Sequence, residues 1–275
     1  MTPGHLLYAL RLARRSPLVA GALVAILAGG IAVTTCVFGL VNAVWLQPLP
    51  YPRPDRLVAV HQVHPREGAA TLVSMADYLR WRDHSRQVDD VGAYTERSFA
   101  LGGRDSYAEW IRGVGVSSYL LALLAAQPAL GRRLEPADEQ PGAAPVAMIS
   151  QRFWRQRLSS DERAVGTTLR LDGVATPIIG VFPYEFRLFN SRYDVFVPLS
   201  ARTAAGDEVR TASAVARLAP GATAASAAAE FGAIRASLAP GRGAGDGWVP
   251  VLRPIDDVLR GAARSVYLLL LAVAA

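Results

Sequence analysis

The sequence predicts an α+β domain carried outside a membrane on one N-terminal transmembrane helix, and ending where a second such helix begins. Three observations predict it. Leu18–Val44 is a long run without a charged residue. Strand-like alternation and helix-like periodicity are interleaved from Arg56 to Leu252. The closing stretch Ser265–Ala275 is apolar again.

Of the 275 residues, 51% are hydrophobic and only 19% are charged. That balance is more apolar than a typical soluble domain and suits a chain with a membrane-embedded part. The formal net charge is +6, and all 29 basic residues are arginine. A basic chain suits nucleic acid or an anionic membrane surface. Nucleic-acid binders gather their charge on one face, whereas these arginines are spread along the chain, so no nucleic-acid partner is expected. The tightest group, Arg11, Arg14 and Arg15, directly precedes the apolar run, where it orients a membrane helix. The single cysteine, Cys36, lies inside that run. No disulfide can therefore form within the chain, and the outer domain must be held by its core.

At about 1.5 Å per helical residue, Leu18–Val44 exceeds the roughly 30 Å of a hydrocarbon core. It is too long for the apolar region of a signal peptide, roughly 7–15 residues, and no cleavage site follows it, so it reads as an uncleaved anchor. The positive-inside rule keeps residues 1–17 in the cytoplasm and places everything after Trp45 outside, with Trp45 at the outer interface. Pro48, Pro50 and Pro52 end the helix. Gly21, Gly29, Gly30, Thr34 and Thr35 are small enough to admit a partner helix, or reflect the tolerance of membrane helices for glycine. Around His5–Arg15, Leu6, Leu10 and Ala13 fall opposite the arginines, as on a surface-lying helix, unless the segment is only a topology signal. Ser265–Ala275 is too short to span and reads as the truncated start of a second membrane helix.

Between these segments the pattern predicts a strand at Arg56–Val63 and a helix at Ser74–Ser85. Ser74 is the N-cap of that helix, and Asp77 is placed to close a capping box. Strands follow at Val91–Leu101 and Tyr107–Val116, joined through Gly102–Asp105, then an apolar helix at Ser117–Ala126. A loop rich in Pro, Gly and charge covers Gln127–Pro145. Next come a strand at Val146–Ile149 and a basic-aromatic helix at Gln151–Leu158. Thr167–Leu171 and Thr176–Val181 make a hairpin about Asp172-Gly173, a strong turn signal. Strands are expected at Asp194–Leu199 and Val209–Leu218. Thr223 caps a helix to Leu238 with Ala227, Phe231, Ile234 and Leu238 as its buried stripe. Gly241–Gly247 is a loop before a last strand at Trp248–Leu252.

Candidate chemistry is sparse. A phosphate-binding loop ending in Lys and Ser or Thr is impossible without lysine, and Gly241–Gly247 reads as a linker. His61 and His64 fall on opposite faces of a strand, which argues against shared metal ligation. Cys36 reads as a small apolar residue. Asp89-Asp90 and Asp256-Asp257 are neighbouring carboxylates that turns or helix starts explain better than acid–base work. There is no Gly-x-Ser-x-Gly elbow. Arg152, Trp154, Arg155 and Arg157 read as a helix face covering a sheet, not a nucleic-acid platform. No catalytic, cofactor-binding or metal-binding residue is assigned, no cofactor is expected, and an anchored enzyme is disfavoured.

Several runs resemble a known family. RLARRSPLVAGALVAILAGGIAVTTCVFGLVNAVWLQPLPYPRPDRLVAV is similar to the start of FtsX-like, MacB-type ABC transporter permeases, closest to the acidobacterial duplicated permeases. VSMADYLRWRDHSRQVDDVGAYTERSFALGG, LLAAQPALGRRLEPADEQ and VAMISQRFWRQRLSSDERAVGTTLRLDGVATPIIGVFPYEFRLFNSRYDVFVPL resemble the MacB-like periplasmic core domain, and so does the helix after LAPGATAASAAAEF. The likeness covers nearly the whole chain. One departure is Ala32 and Thr34, where the family commonly shows Gly and Asn.

The resemblance implies a layout. Residues 1–17 are a cytoplasmic basic segment, 18–44 the first transmembrane helix, and 45–264 the periplasmic core domain. That domain has a porter-like α+β part and a β-rich insert at about 116–209, and residues 265–275 begin the second transmembrane helix. It also implies a function: a permease subunit segment of an ABC-type envelope transport or mechanotransmission system in the bacterial inner membrane. The implied partners are the lipid bilayer, a separate cytoplasmic ABC ATPase, and a second permease unit or homodimer partner. The alternative is a membrane-anchored periplasmic binding or sensing domain without transport.

Overall fold

The computed structural model describes residues 17–41, 50–64, 66, 68, 70–102, 109–189, 191–200, 211–238 and 247–259. The basic segment 1–16, Trp45, Gly103–Asp105, Gly241–Asp246 and the tail 265–275 lie outside the described residues. The chain divides into two compact units, residues 1–49 with 260–275, and residues 50–259.

In the first unit the apolar run is helical, as helix α1 (Pro17–Val41, 25 residues, none charged). Leu18, Val24, Ile26, Leu27 and Ile31 are between 63% and 88% exposed. The Thr35 hydroxyl donates to the Ile31 carbonyl one turn back at 2.7 Å, satisfying a polar group in an uncharged helix. Among the described residues no helix is long and apolar enough to cross a membrane.

Among the described residues the second unit is built on a mixed sheet of twelve strands. In chain order they are β1 (Leu57–Val63), β2 (Ala70–Thr71), β3 (Val73–Ser74), β4 (Val88–Leu101), β5 (Glu109–Val116), β6 (Leu130–Gly131), β7 (Ala147–Ser150), β8 (Thr168–Leu171), β9 (Val174–Phe182), β10 (Val195–Pro198), β11 (Thr211–Leu218) and β12 (Val249–Pro254). The helices are α2 (Met75–His84), α3 (Ser118–Leu123), α4 (Gln151–Arg157) and α5 (Ala224–Leu238). The sheet runs β12-β1-β11-β4-β5-β10-β7-β9-β6, with β2 beside β1, β3 beside β11, and β8 joining β9 to β4. Among the described residues only β5 with β10 and β7 with β9 pair in parallel. This is the α+β class that the sequence predicts.

Most elements start where side chains direct them to. The hydroxyls of Ser74, Ser117 and Ser150 each accept the backbone N–H three residues on, capping α2, α3 and α4. Thr223 does the same for Ser226, whose hydroxyl answers at the Thr223 N–H. Asp172 (φ 51°) and Gly173 (φ 79°) are both left-handed and turn β8 back onto β9. The apolar helix expected over Ser117–Ala126 is shorter. It stops at Leu123, where the chain turns through Ala125 at φ 52°. The loop expected over Gln127–Pro145 holds strand β6 and a 3₁₀ turn at Pro136–Glu139.

Because strand side chains alternate, each row across the sheet shows one of two faces. On one face of the first half, Val58, Val60, Val91, Ala93, Ala214 and Ala216 carry α2 and α5. Trp81 of α2 stacks on Phe231 of α5 at 4.6 Å, and its indole N–H donates to the Phe231 carbonyl. In the second half, Phe99, Ile111, Ile149, Ile178 and Val195 form a separate cluster closed by Phe153 of α4 and Leu171 of β8. The 14-residue strand β4 contributes to both.

Two polar details depart from the sequence reading. Asp77 does not close a capping box. Its carboxylate is 4% exposed and is taken by Gln62 of β1 at 2.6 Å, Arg80 at 3.1 Å and Arg235 of α5 at 3.3 Å. Arg235 itself is 7% exposed, a buried position outside the expected stripe of Ala227, Phe231, Ile234 and Leu238, and it also donates to the Trp248 carbonyl. A charge survives there because a second charge and a carbonyl meet it.

Candidate functional site

The residues weighed as chemistry stay apart. His61 is half-buried in β1, where burial and then Arg253 push its pKa down. His64 lies beyond the strand end, edge-on to Trp248 at 5.3 Å. Asp89 pairs with Arg56 at 2.6 Å. Asp90 accepts the Val91 N–H, and burial pushes its carboxyl above the usual range. Asp256-Asp257 falls in a helical stretch over 255–259. In α4, Arg152 pairs with Asp194 at 2.6 Å, Arg157 with Glu109, and the Trp154 indole donates to the Asp161 carbonyl. The basic-aromatic helix is thus a sheet cover tied down by ion pairs. Among the described residues, no group of three or more His, Cys, Asp or Glu can hold a metal ion.

What the structure does gather is a junction at residues 51–56, where the chain passes from the α1 side into β1. Tyr51 is 8% exposed. Its hydroxyl donates to the Arg187 carbonyl at 2.8 Å and accepts the Phe189 N–H at 3.0 Å, and its ring meets Phe189 edge-on at 5.8 Å. Burial pushes the phenol pKa up, against the bond from Phe189. Phe189 also lies 5.4 Å from Tyr94 of β4. Phe182, Phe186, Phe196 and Tyr193 continue this aromatic packing across the sheet face opposite α2 and α5. The Tyr193 hydroxyl donates to Glu96 at 2.6 Å.

One residue on, the Pro52 carbonyl accepts from Arg217 of β11, whose other nitrogen donates to the Leu123 carbonyl at the end of α3. Arg217 is 5% exposed. Burial, then the neighbouring Arg53 and Arg56, push its pKa down, and the two carbonyl oxygens accept its hydrogen bonds. Arg53 turns the chain at φ 47°, in the left-handed region that non-glycine residues avoid. Arg56 then donates to the Leu218 carbonyl and to Asp89.

Six residues of connecting chain are therefore fastened to both halves of the sheet, to the second through Tyr51 and to the first through Pro52 and Arg56. The way out lies next to the way in. β12 pairs with β1 along its length, with Val58 opposite Pro254. Sequence reasoning read 47–52 only as a helix stop. Its prolines were visible, but the partners of Tyr51 and Pro52 lie 136 to 165 residues away, and no local pattern records them.

The fold is shared with solved structures of low sequence identity. A domain of a protein named as a permease from Porphyromonas gingivalis matches with TM-score 0.58 at 17% identity, covering 74% of this chain and 92% of that one. The periplasmic region of MacB from Actinobacillus actinomycetemcomitans matches with TM-score 0.56 at 13% identity, covering 78% and 94%. The extracellular domain of the noncanonic ABC-type transporter YknZ from Gram-positive bacteria matches with TM-score 0.54 at 13% identity, covering 71% and 99%. No curated protein matches. At the level of sequence, residues 21–234 match the MacB-like periplasmic core domain family, whose permeases are non-catalytic transport components. The chain, with its mixed sheet and its doubly fastened connecting segment, belongs to the MacB-like periplasmic core domain family.

Proposed function

We propose that this chain is the membrane-anchoring and periplasmic part of a permease subunit in an ABC-type envelope system. Its sheet is coupled through membrane helices to a separate cytoplasmic ATPase. Membership of the family supports the permease role. The membrane crossing is supported by the sequence, where Leu18–Val44 carries no charged residue and, at about 1.5 Å per helical residue, exceeds the roughly 30 Å hydrocarbon core. Arg11, Arg14 and Arg15 before it favour a cytoplasmic N-terminus and a periplasmic sheet. The finer kinship with acidobacterial duplicated permeases rests on the sequence runs alone, and a second permease unit or a homodimer partner goes with it.

The observation that carries the coupling is the junction. The strands through which the chain enters and leaves the sheet are hydrogen-bonded neighbours, and the incoming segment is bonded to both halves. A motion that reaches Tyr51 therefore passes into both halves of the sheet through bonded backbone.

The test uses the full-length protein in lipid nanodiscs with its ATPase. Spin labels in β4 and α4 should change separation between nucleotide-free and ATP-bound states, and Arg217→Met should shrink that change while the ATPase still associates. An unchanged response in Arg217→Met removes the junction from the coupling path. Failure of any ATPase to associate makes the membrane-anchored sensing domain the better reading. Reporter fusions after Val44 and near Gly245 should both signal outside the cytoplasm.

A further inference from the structure

Between the two hydrophobic cores, on the face that carries α2, α5 and α4, none of the described helices covers the sheet. A cavity of about 550 Å³ lies there, roofed by the segment 140–146. Its position follows from register. Thr95 of β4, Gly115 of β5 and Val197 of β10 stand in one row, and Arg97 and Phe99 follow along β4. Leu199, on one wall, belongs to the first core, while Phe99 and Leu171, on the other, belong to the second. Gly115 lies on the floor, where a Cβ would reach Thr95 and Leu199 at 3.3 and 3.5 Å.

The charges on the wall are already matched. Arg97 donates to Asp172 at 2.8 Å and lies over the Phe99 ring at 4.5 Å, and the other Asp172 oxygen accepts the Ala100 N–H. Asp138 is held by two bonds from Arg132, at 2.7 and 2.9 Å. A charged ligand would find no unmatched partner here and would lose its hydration on entering. An apolar body would cover Phe99, Leu171, Val197 and Leu199, and Thr95 and Gln140 offer hydrogen bonds to one or two polar groups. The volume falls within the roughly 300–1,000 Å³ of small-molecule sites, which favour the seam between two structural parts.

We propose that this seam cavity is a binding site for a neutral, mostly apolar small molecule carrying one or two hydrogen-bonding groups. A ligand there touches both cores at once and so sets their separation. The site does not depend on the transport reading, since its walls lie wholly within residues 50–259.

The experiment is photolabelling of the full chain in lipid nanodiscs with a trifluoromethyl-phenyl-diazirine, a neutral apolar probe, followed by peptide mass spectrometry. Adducts are expected on 95–99, 140–146 and 171–176. Adducts from lipid-dissolved probe on α1 serve as an internal reference. Val197→Trp, which fills the cavity from the sheet, should abolish the first three sets and leave those on α1. Ala144→Trp fills it from the roof, outside any strand, and repeats the test without touching the sheet. Circular dichroism checks that both variants are folded. The proposal is overturned if those segments label no more than the strand around the exposed Trp110, or if both folded variants label like the wild type.

Discussion

The two halves of the sheet are closed by different means. The first is covered by α5, 15 residues long, and α2, 10 residues long, which meet through a stacked Trp81–Phe231 pair and the buried Asp77–Arg235 ion pair. The second is covered by the seven-residue α4, the β8–β9 hairpin and, on its other face, the aromatic segment that receives Tyr51. Long helices settle the first half largely through contacts along one helix pair. The second depends on contacts gathered from all along the chain, the incoming segment among them. The half that resembles a self-sufficient unit is thus the natural frame, and the half fastened to Tyr51 is the natural responder.

Phe231→Ala is the hardest blow to the frame. It removes a fully buried ring and should cost about 4 kcal/mol, lowering the denaturation midpoint. Because β4 serves both cores, hydrogen exchange should rise in both halves together. A two-step transition with the second core intact would break the comparison by showing independent units. Asp77→Ala comes next, leaving Arg235 buried without its carboxylate, at about 3 kcal/mol. Asp77→Asn, which keeps an acceptor for Gln62, should cost less, and equal losses would mean that the charge is not what matters.

Tyr51→Phe keeps the ring and loses both hydroxyl bonds, for about 1 kcal/mol. Exchange should rise at 187–189 while the Trp81–Phe231 region stays protected. Uniform loosening would show that the junction supports the frame as well. The smallest effect concerns Glu139, which accepts the Ser118 N–H at the start of α3. Burial, the largest influence, pushes its carboxyl up against bonds from Ser118. The fold therefore favours its protonated form. That stabilisation is complete below the ordinary Glu range and lost as pH rises through the raised value. Glu139→Gln should flatten the wild-type fall in melting temperature just above that range. Parallel slopes would move the dependence to Asp90, which burial also raises.

Much of the frame is legible in the sequence because its signals are local. Ser74 and Thr223 cap their helices, Ala227 and Phe231 keep the helical period, and Asp172-Gly173 turns its hairpin. The strands of the second half are legible too, but their arrangement is not. The parallel pairing of β5 with β10 and β7 with β9 joins segments with no turn between them. Asp77 shows the limit of local rules. Its spacing from Ser74 suits a capping box, yet a buried arginine on another helix claims the carboxylate. The cavity at the seam has no sequence signal beyond Gly115 of β5, and Tyr51 reads as one more residue in a proline-rich stop.

The pairing of β1 with β12 has a mechanical side. Antiparallel neighbours whose free ends leave from the same edge are loaded like a zipper when those ends are pulled apart, so their cross-strand bonds yield one after another. Strands loaded from opposite edges share the strain among all bonds and resist in shear. Here the open end of the zipper is the Val58–Pro254 end, and Arg217, Arg56 and Tyr51 clamp the chain just outside it. Lateral separation of the flanking segments would strip these clamps before the first strand bond parts. A push or twist applied to both segments together would leave the zipper shut and turn the sheet as one plate.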